Sequence, residues 1–290
     1  MSVLEVPIRG GSIEALHLPG GTGVPLLVLG GVETGLRRLA GTEHVLEKRW
    51  ARRRQHRDVV VVGRPLPESL DEVDRVMHPR VIADAVVTAV EAVEGAGGPQ
   101  PPYAIEAESG GGRISLWLTV DHPELVSRLV LSSVASETRP DSAMARRMAQ
   151  WIVLAENDDW GMFFGHMAVQ MRPATTPAAA GGGAGRPAES FESAARLQPR
   201  PATPERFVAE LKATLDPSSF VTDRLREIHV PALLLAGGRD QVVPPEATRL
   251  VAEHLPGARF ETDPECGHTV RSSFDGYHEL VEAFLAEGDA

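Results

Sequence analysis

Five short apolar runs, four of which end in Gly or Ser, constrain the fold of this chain more than any other feature. They lie at residues 25–29, 59–62, 103–105, 129–131 and 231–235. Apolar and polar residues do not alternate within the runs, which indicates strands buried on both faces, as in a parallel sheet. Helical patterns separate the runs, for example over 80–93. This order predicts an α/β fold with right-handed crossovers and a ligand site beyond the carboxyl ends of the strands.

One long segment departs from this rhythm. Between about residues 137 and 223, three helical patterns follow one another without a strand run. We therefore predict a core formed by residues 1–136 and 224–290, with a helical cap inserted at 137–223. A stretch rich in Gly, Ala and Pro at 173–188 predicts a mobile loop within that cap, because it carries too little apolar surface to order itself.

The composition excludes several classes of function. Lys and Arg total 29 against 40 Asp and Glu, a net charge of −11, and such acidity disfavours nucleic-acid binding. The single cysteine, Cys266, rules out an intrachain disulfide and a multi-cysteine zinc site. No cluster of His, Asp and Glu has the spacing of metal ligands, so we expect no metal.

Cofactor and membrane signals are also missing from the sequence. The glycine-rich turn at 30–35 has Val32 where a dinucleotide fingerprint needs glycine, and it lacks the Lys-Ser/Thr pair of a P-loop. Residues 1–9 do not resemble a signal peptide, and no run approaches the ~18 apolar residues that span a bilayer. We expect a cytoplasmic protein with no cofactor and no membrane contact, and no feature indicates an oligomeric state.

A serine after the third apolar run is the strongest candidate for chemistry. Ser109 lies in the segment Ala-Glu-Ser-Gly-Gly-Gly at 107–112, between a strand run and a helical pattern. A serine on a sharp strand-to-helix turn needs small residues two positions before and after it, and Ala107 and Gly111 meet that demand. The alternative is an ordinary glycine-rich turn whose serine caps the helix.

This segment resembles the nucleophile elbow, Gly-x-Ser-x-Gly, of the α/β-hydrolase family, with alanine in place of the first glycine. The segment Gly-Arg-Asp-Gln-Val-Val-Pro at 238–244 resembles the acid loop of the family, and Gly-His at 267–268 resembles its terminal histidine loop. The order serine, aspartate, histidine is also that of the family. The resemblance covers roughly residues 25–135 and 230–285. It implies an α/β-hydrolase fold, with a mostly parallel central sheet flanked by helices and an inserted helical cap.

The resemblance assigns a role to each candidate site residue. A serine hydroxyl is a poor nucleophile at neutral pH and needs an adjacent base, which in turn needs an orienting carboxylate. Ser109 would therefore be the nucleophile, His268 the base and Asp240 the acid. The backbone N–H groups of Gly110 and Val32 would form the oxyanion hole.

Three further assignments concern this site and its surroundings. Gly31 is the alternative to Val32 as an oxyanion donor. Glu137, just after the fourth apolar run, is the alternative to Asp240 as the acid. The basic run at 48–57 predicts a solvated helix end, because an acidic protein seldom uses such a run as a phosphate site.

The predicted cap indicates the kind of substrate. A stripe of Met and aromatic residues predicts an apolar pocket lined by Trp160, Phe163, Phe164 and Met167, although such a stripe is also typical of a packed core. We expect a cofactor-independent serine hydrolase that cleaves an ester, thioester or lactone of a hydrophobic small molecule through an acyl-enzyme. Carbon–carbon hydrolases, lyases, cyclases and non-catalytic ligand-binding proteins share this scaffold, so they stay as alternatives.

Overall fold

The computed structural model of the chain describes residues 2–171 and 204–289, and the loop predicted at 173–188 lies outside them. Nine strands within the described residues form one sheet. They are β1 (Leu4–Ile8), β2 (Gly11–Leu18), β3 (Gly23–Leu29), β4 (Arg57–Val62), β5 (Leu66–Pro67), β6 (Tyr103–Glu108), β7 (Val126–Ser132), β8 (Ala232–Gly237) and β9 (Arg259–Asp263).

The sheet is mostly parallel, as the apolar runs predict. Its strands lie in the order β1-β2-β4-β3-β6-β7-β8-β9, and β5 pairs with β2. The first two pairings, β1 with β2 and β2 with β4, are antiparallel, whereas every pairing from β4 through β3 to β9 is parallel. The carboxyl ends of six strands therefore lie along one edge of the sheet.

Helices connect most of the parallel strands. Those described are α1 (Val32–Gly35), α2 (Glu43–Arg49), α3 (Ala51–Arg54), α4 (Val73–Val76), α5 (Pro79–Gly95), α6 (Gly110–Asp121), α7 (Ala143–Glu156), α8 (Trp160–Gln170), α9 (Pro204–Leu215), α10 (Pro245–His254), α11 (Val270–Ser273) and α12 (Tyr277–Ala286). Side-chain caps fix both helix starts that follow β7 most closely, because Ser142 accepts from the Ala145 N–H of α7 and Asp159 from the Met162 N–H of α8. Among the described residues, no helix is long and apolar enough to cross a membrane.

Two apolar clusters cover the two faces of the sheet. Successive residues of β3 point to opposite faces, so that Leu27 joins one cluster and Val28 the other. Helices α5, α6 and α10 pack in the first cluster, and Trp50 and α12 pack in the second. Burial on both faces is the physical reason why the apolar runs of these strands do not alternate with polar residues, and it confirms the expected sheet flanked by helices.

A third apolar cluster joins the helices between β7 and β8. It contains residues of α7, α8 and α9, together with Val242 and Val243 from the turn that follows β8. The helices begin and end close to where the sequence patterns place them. The boundaries of the cap, 137 and 223, stay predictions.

The basic run at 48–57 differs from its prediction. Arg53 and Arg57 are fully buried, not solvated. Arg53 Nε donates to Glu106 at 2.7 Å, and Arg57 Nη2 donates to Asp289 at 3.0 Å. Lys48, Arg49 and Arg52 are exposed, as predicted. The prediction was wrong for Arg53 and Arg57, because the carboxylates that neutralise these two cations come from distant parts of the chain and a local charge pattern does not reveal them.

The start of α6 packs directly against the end of β3. A Cβ on Gly111 would lie 2.1 Å from the Leu29 carbonyl oxygen and 2.5 Å from that of Gly30. Backbone atoms cannot move aside as a flexible side chain can, so only glycine fits at this position. This close approach holds the turn after β3 beside Ser109.

We predict that Gly111→Ala lowers the free energy of unfolding by about 1–3 kcal/mol, because the added methyl group overpacks a rigid site. The matched control is Gly95→Ala in the last turn of α5, where a Cβ would contact nothing within 4 Å. That control should be stabilised by up to about 1 kcal/mol, since alanine favours helix over glycine. Urea unfolding of both variants measures the difference, and equal midpoints would contradict the close-packing argument.

Candidate active site

Ser109 lies where β6 ends and α6 begins. Its backbone has φ 52° and ψ −122°, a region that residues other than glycine rarely occupy. The Ser109 N–H donates to the Ser132 carbonyl oxygen at 2.9 Å, so the end of β7 helps to hold this backbone in place. The side chain makes no capping hydrogen bond to the helix. The alternative interpretation of Ser109 as a helix-capping serine therefore does not fit the geometry.

Asp240 and His268 form a buried pair. Oδ2 of Asp240 lies 2.8 Å from Nδ1 of His268. The other carboxylate oxygen accepts from the N–H groups of Val242 at 2.8 Å and Val243 at 2.9 Å. These contacts fix the carboxylate in the turn after β8. Since Asp240 contacts Nδ1 of His268, the other ring nitrogen, Nε2, is not bonded to Asp240.

The loops that carry this pair are packed against each other. A Cβ on Gly237 would lie 2.1 Å from the Gly267 carbonyl oxygen, so the two loops touch through their backbones. The Arg239 N–H donates to the Cys266 carbonyl at 2.9 Å. In addition, the His268 N–H donates to the Met171 carbonyl at 3.3 Å, which links the histidine loop to the end of α8.

The turn after β3 adjoins the serine. Val32 and Gly110 are the first residues of α1 and α6, and the first N–H groups of a helix have no acceptor within it. A Cβ on Gly31 would lie 3.3 Å from the Cβ of Ser109, and Val32 Cγ2 lies 3.0 Å from where a Cβ on Gly110 would be. The residues predicted as oxyanion donors thus belong to two helix starts that touch beside Ser109.

A cavity of about 390 Å³ is lined by both Ser109 and His268. Most of its other described lining is apolar: Val32, Met148, Trp151, Met167, Met171, Phe207, Leu211 and Val242. The polar lining comes from other elements: Arg49, Glu108, Thr269, Arg271, Ser272 and His278. The cavity therefore has an apolar wall supplied largely by α7, α8 and α9, and a polar wall supplied largely by α11 and its neighbours.

The predicted pocket residues divide into two groups. Met167 is among the described residues that line the cavity. Trp160, Phe163 and Phe164 are not, because their rings pack among the helices instead. The Phe163 ring centroid lies 5.3 Å from that of Trp160 and 5.2 Å from that of Phe164, with edge-on geometry in both pairs. Phe207, which the sequence analysis did not assign to the pocket, lines the cavity from α9.

A buried carboxylate behind the elbow was missed from the sequence. Glu106 of β6 accepts from Arg53 Nε at 2.7 Å and from the Tyr277 hydroxyl at 3.0 Å, and it also pairs with Arg271 of α11. Burial alone would raise the pKa of Glu106, but the two arginines hold that pKa below its usual range. A glutamate directly after the apolar run at 103–105, before the turn at Ser109, was the signal that could have revealed this network.

The alternative acid, Glu137, lies elsewhere. Its carboxylate accepts from Arg139 Nε at 2.8 Å, a hydrogen bond that lowers the pKa of Glu137. It lines a separate cavity that contains neither Ser109 nor His268. Cys266 lies two residues before His268, and burial raises the pKa of its thiol, which disfavours the reactive thiolate. Within residues 2–171 and 204–289, no three His, Cys, Asp or Glu side chains converge on a point that could hold a metal.

Residues 75–272 match the protein family Hydrolase_4, described as serine aminopeptidase, S33. The chain belongs to this family. The predicted membership of the α/β-hydrolase superfamily is thereby confirmed, and so is the expectation of an α/β-hydrolase enzyme at this general level.

Two relatives of this α/β hydrolase are similar over much of its length. It is 28% identical to "2-hydroxymuconate semialdehyde hydrolase" of Pseudomonas putida over 64% of this chain and 63% of the relative, so it spans less than two thirds of that protein. It is also 28% identical to "pimeloyl-[acyl-carrier protein] methyl ester esterase" of Nitrosomonas europaea, over 63% of this chain and 70% of the relative.

A solved structure extends the likeness to the whole fold. The α/β hydrolase superposes on Est816, described as an N-acyl homoserine lactone degrading enzyme, with a TM-score of 0.67. The two share 22% identity, and the match covers 97% of this chain and 100% of that one. At this level of identity the likeness establishes the α/β-hydrolase fold.

The Asp240–His268 contact predicts which carboxylate matters for activity. Asp240→Asn should stay folded, because an amide oxygen can still accept from Val242 and Val243, but kcat should fall by about 10⁴-fold as the histidine loses its orientation and charge partner. Glu137→Gln should leave kcat unchanged. Steady-state kinetics and thermal unfolding of both variants test this, and the opposite pattern would assign the acid to Glu137.

Proposed function

We propose that this chain is a cofactor-independent serine hydrolase that cleaves an ester, thioester or lactone of a hydrophobic small molecule. The observation that carries the proposal is the 2.8 Å hydrogen bond between Asp240 and His268, together with the cavity that His268 and Ser109 both line. The strained backbone at Ser109 supports it, because such strain is typical of functional positions.

In the proposed mechanism, Oγ of Ser109 attacks the substrate carbonyl carbon. His268 takes the hydroxyl proton on Nε2, while Asp240 stabilises the resulting imidazolium through Nδ1. The N–H groups of Gly110 and Val32 stabilise the negative charge on the former carbonyl oxygen. The imidazolium then gives its proton to the leaving group, and an acyl-enzyme forms. A water molecule, activated by His268, releases the acid and restores the serine.

The apolar wall of the cavity supports a hydrophobic acyl group. Met148 and Trp151 of α7, Met167 of α8, and Phe207 of α9 lie on it. We propose that these helices, within an insertion at 137–223, act as the cap over the site. Apolar side chains around a few polar groups are typical of small-molecule sites.

Carbon–carbon bond hydrolysis is the second candidate. The similarity to 2-hydroxymuconate semialdehyde hydrolase favours it. Ser109 Oγ would add to a ketone carbonyl while His268 takes its proton, and the tetrahedral intermediate would then expel a stabilised carbanion in place of an alkoxide, with the His268 imidazolium protonating the leaving carbon. A panel that contains both acyl esters and a ketone with a stabilised carbon leaving group separates these two reactions.

The proposal predicts one covalent adduct on wild-type protein treated with a fluorophosphonate, because an activated serine attacks the phosphorus centre. Intact-mass spectrometry should detect a single addition, and peptide mapping should locate it on Ser109. Ser109→Ala should show no adduct, and Ser133→Ala serves as a matched control, since Ser133 also has a positive φ of 51°.

The control should be labelled as the wild type is. An unchanged mass for well-folded wild-type protein would exclude a serine nucleophile. Labelling of Ser109→Ala at the wild-type rate would place the nucleophile elsewhere.

The apolar wall predicts chain-length specificity. Met171, half-buried at the end of α8, lines the cavity, whereas Met162 on the same helix is 42% exposed and does not. We compare the ratio of kcat/KM for a long acyl ester to kcat/KM for an acetate ester. Met171→Ala should lower this ratio by roughly 10-fold or more, because a lost apolar contact costs about 1–3 kcal/mol. Met162→Ala should leave the ratio unchanged.

A third variant separates the wall from the packed helices. Phe163→Ala should lower the free energy of unfolding by about 3–5 kcal/mol while the acyl preference is kept. Kinetics across an acyl series and chemical unfolding measure both effects. The same chain-length profile in all three variants and the wild type would argue against the apolar wall as the acyl site.

A further inference from the structure

A buried ion pair holds the turn that carries the proposed oxyanion donor Val32. Arg64, just after β4, donates from Nη2 to the Gly30 carbonyl at 2.9 Å. Its Nε and Nη2 also donate to Oε1 of Glu210, at 3.0 and 2.9 Å. Both side chains are almost fully buried. Arg64 thus joins the first residue of the turn to helix α9.

Helix α9 is also hydrogen-bonded to the far end of the turn after β3. Arg206, one helical turn before Glu210, donates from Nη1 to the Leu36 carbonyl at 3.4 Å and from Nη2 to the Arg64 carbonyl at 3.2 Å. The Arg64 N–H donates in turn to the Gly35 carbonyl at 2.9 Å. The segment 30–36 is therefore bonded at both ends to one connected group of charged side chains.

Glu210 also lies against the other proposed oxyanion donor. Its Oε1 is 3.0 Å from where a Cβ on Gly110 would be, and Val32 Cγ2 is at the same distance from that point. Oε2 of Glu210 is buried and accepts no hydrogen bond from a described residue. A carboxylate therefore lies beside Gly110, one of the two proposed oxyanion donors, and Arg64 is the cation that is hydrogen-bonded to it.

We propose that Arg64 is a positioning residue for the oxyanion hole and that Glu210 is the carboxylate that anchors it, an inference that rests on the proposed function. Arg64 acts in two ways. Its hydrogen bond to Gly30 holds the Val32 N–H beside the Gly110 N–H. Its positive charge offsets the negative charge of Glu210, which would otherwise repel the oxyanion. That repulsion would be strong, because charges interact strongly in an interior that excludes water. Because Glu210 lies on α9, a helix of the insertion forms part of the support of the catalytic core.

The test uses charge-removing variants of the full chain: Arg64→Gln, Glu210→Gln and the double variant. Arg64→Gln leaves the carboxylate without its cation, so kcat and the rate of fluorophosphonate labelling should fall about 100-fold with KM little changed. Glu210→Gln keeps an acceptor for Arg64 and removes the negative charge, so kcat should stay close to wild type. The kcat of the double variant should be at least about tenfold higher than that of Arg64→Gln, because the unpaired Glu210 carboxylate is gone.

The labelling rate of the folded protein, measured well below the melting temperature, separates this role from a merely structural one. If the pair only stabilised the fold, folded Arg64→Gln would be labelled at the wild-type rate, and any loss and regain of activity would follow the melting temperature alone. Arg259→Gln, which breaks an exposed ion pair with Glu287, is the matched surface control and should behave as wild type.

If Arg64→Gln does not fold, Arg64→Lys replaces it. Lysine keeps the charge but lacks the fork that binds Gly30 and Glu210 together, so kcat should fall about tenfold. If fluorophosphonate labels the wild type and every Arg64 variant at the same rate, this inference is overturned while the proposed function stands. The absence of any adduct on folded wild-type protein overturns the proposed function and, with it, this inference.

Discussion

The close packing of the first turn of α6 against the end of β3 is the contact on which the site depends. Gly111 permits it, because a methyl group at that position would overlap the Leu29 carbonyl oxygen. The contact places the turn after β3 beside Ser109 and brings two helix starts together. The parallel pairing of β6, β7, β8 and β9 then carries the loops of Asp240 and His268 to the same edge of the sheet. Local packing thus sets one half of the site, and strand order sets the other.

Buried arginines surround this packed centre. Arg53 and Arg64 are both enclosed, and each is bound by a glutamate, since an unpaired buried charge would be costly. The planar guanidinium can donate to several oxygens at once, which suits sites where elements meet. Glu106 has a depressed pKa, so the stability that its pairing adds is present above the pKa of the unfolded glutamate and is lost as the pH falls through the folded value.

The sequence predicted most of the strands because strands buried on both faces must be apolar. It did not predict β9, an edge strand whose Arg259 and Glu261 are exposed and which therefore has no apolar run. The motifs predicted Ser109, Asp240 and His268, which the fold brings to one edge of the sheet. They did not predict the partners of Arg53, which are far away in the chain, nor which aromatic rings would face the cavity. Those outcomes depend on tertiary packing, and a helical stripe alone does not specify it.

The place of β9 has a consequence for how the molecule responds to heat. Among the described residues only β8 pairs with this strand, and the loop that follows it carries His268. Edge elements with few buried contacts open at a lower free energy than the interior of a sheet. Opening of β9 would withdraw the histidine while Ser109, held between β3 and β7, stays in place. Heat inactivation of this chain would then begin with a local, reversible opening of β9 at the edge of the sheet, while the core is still folded.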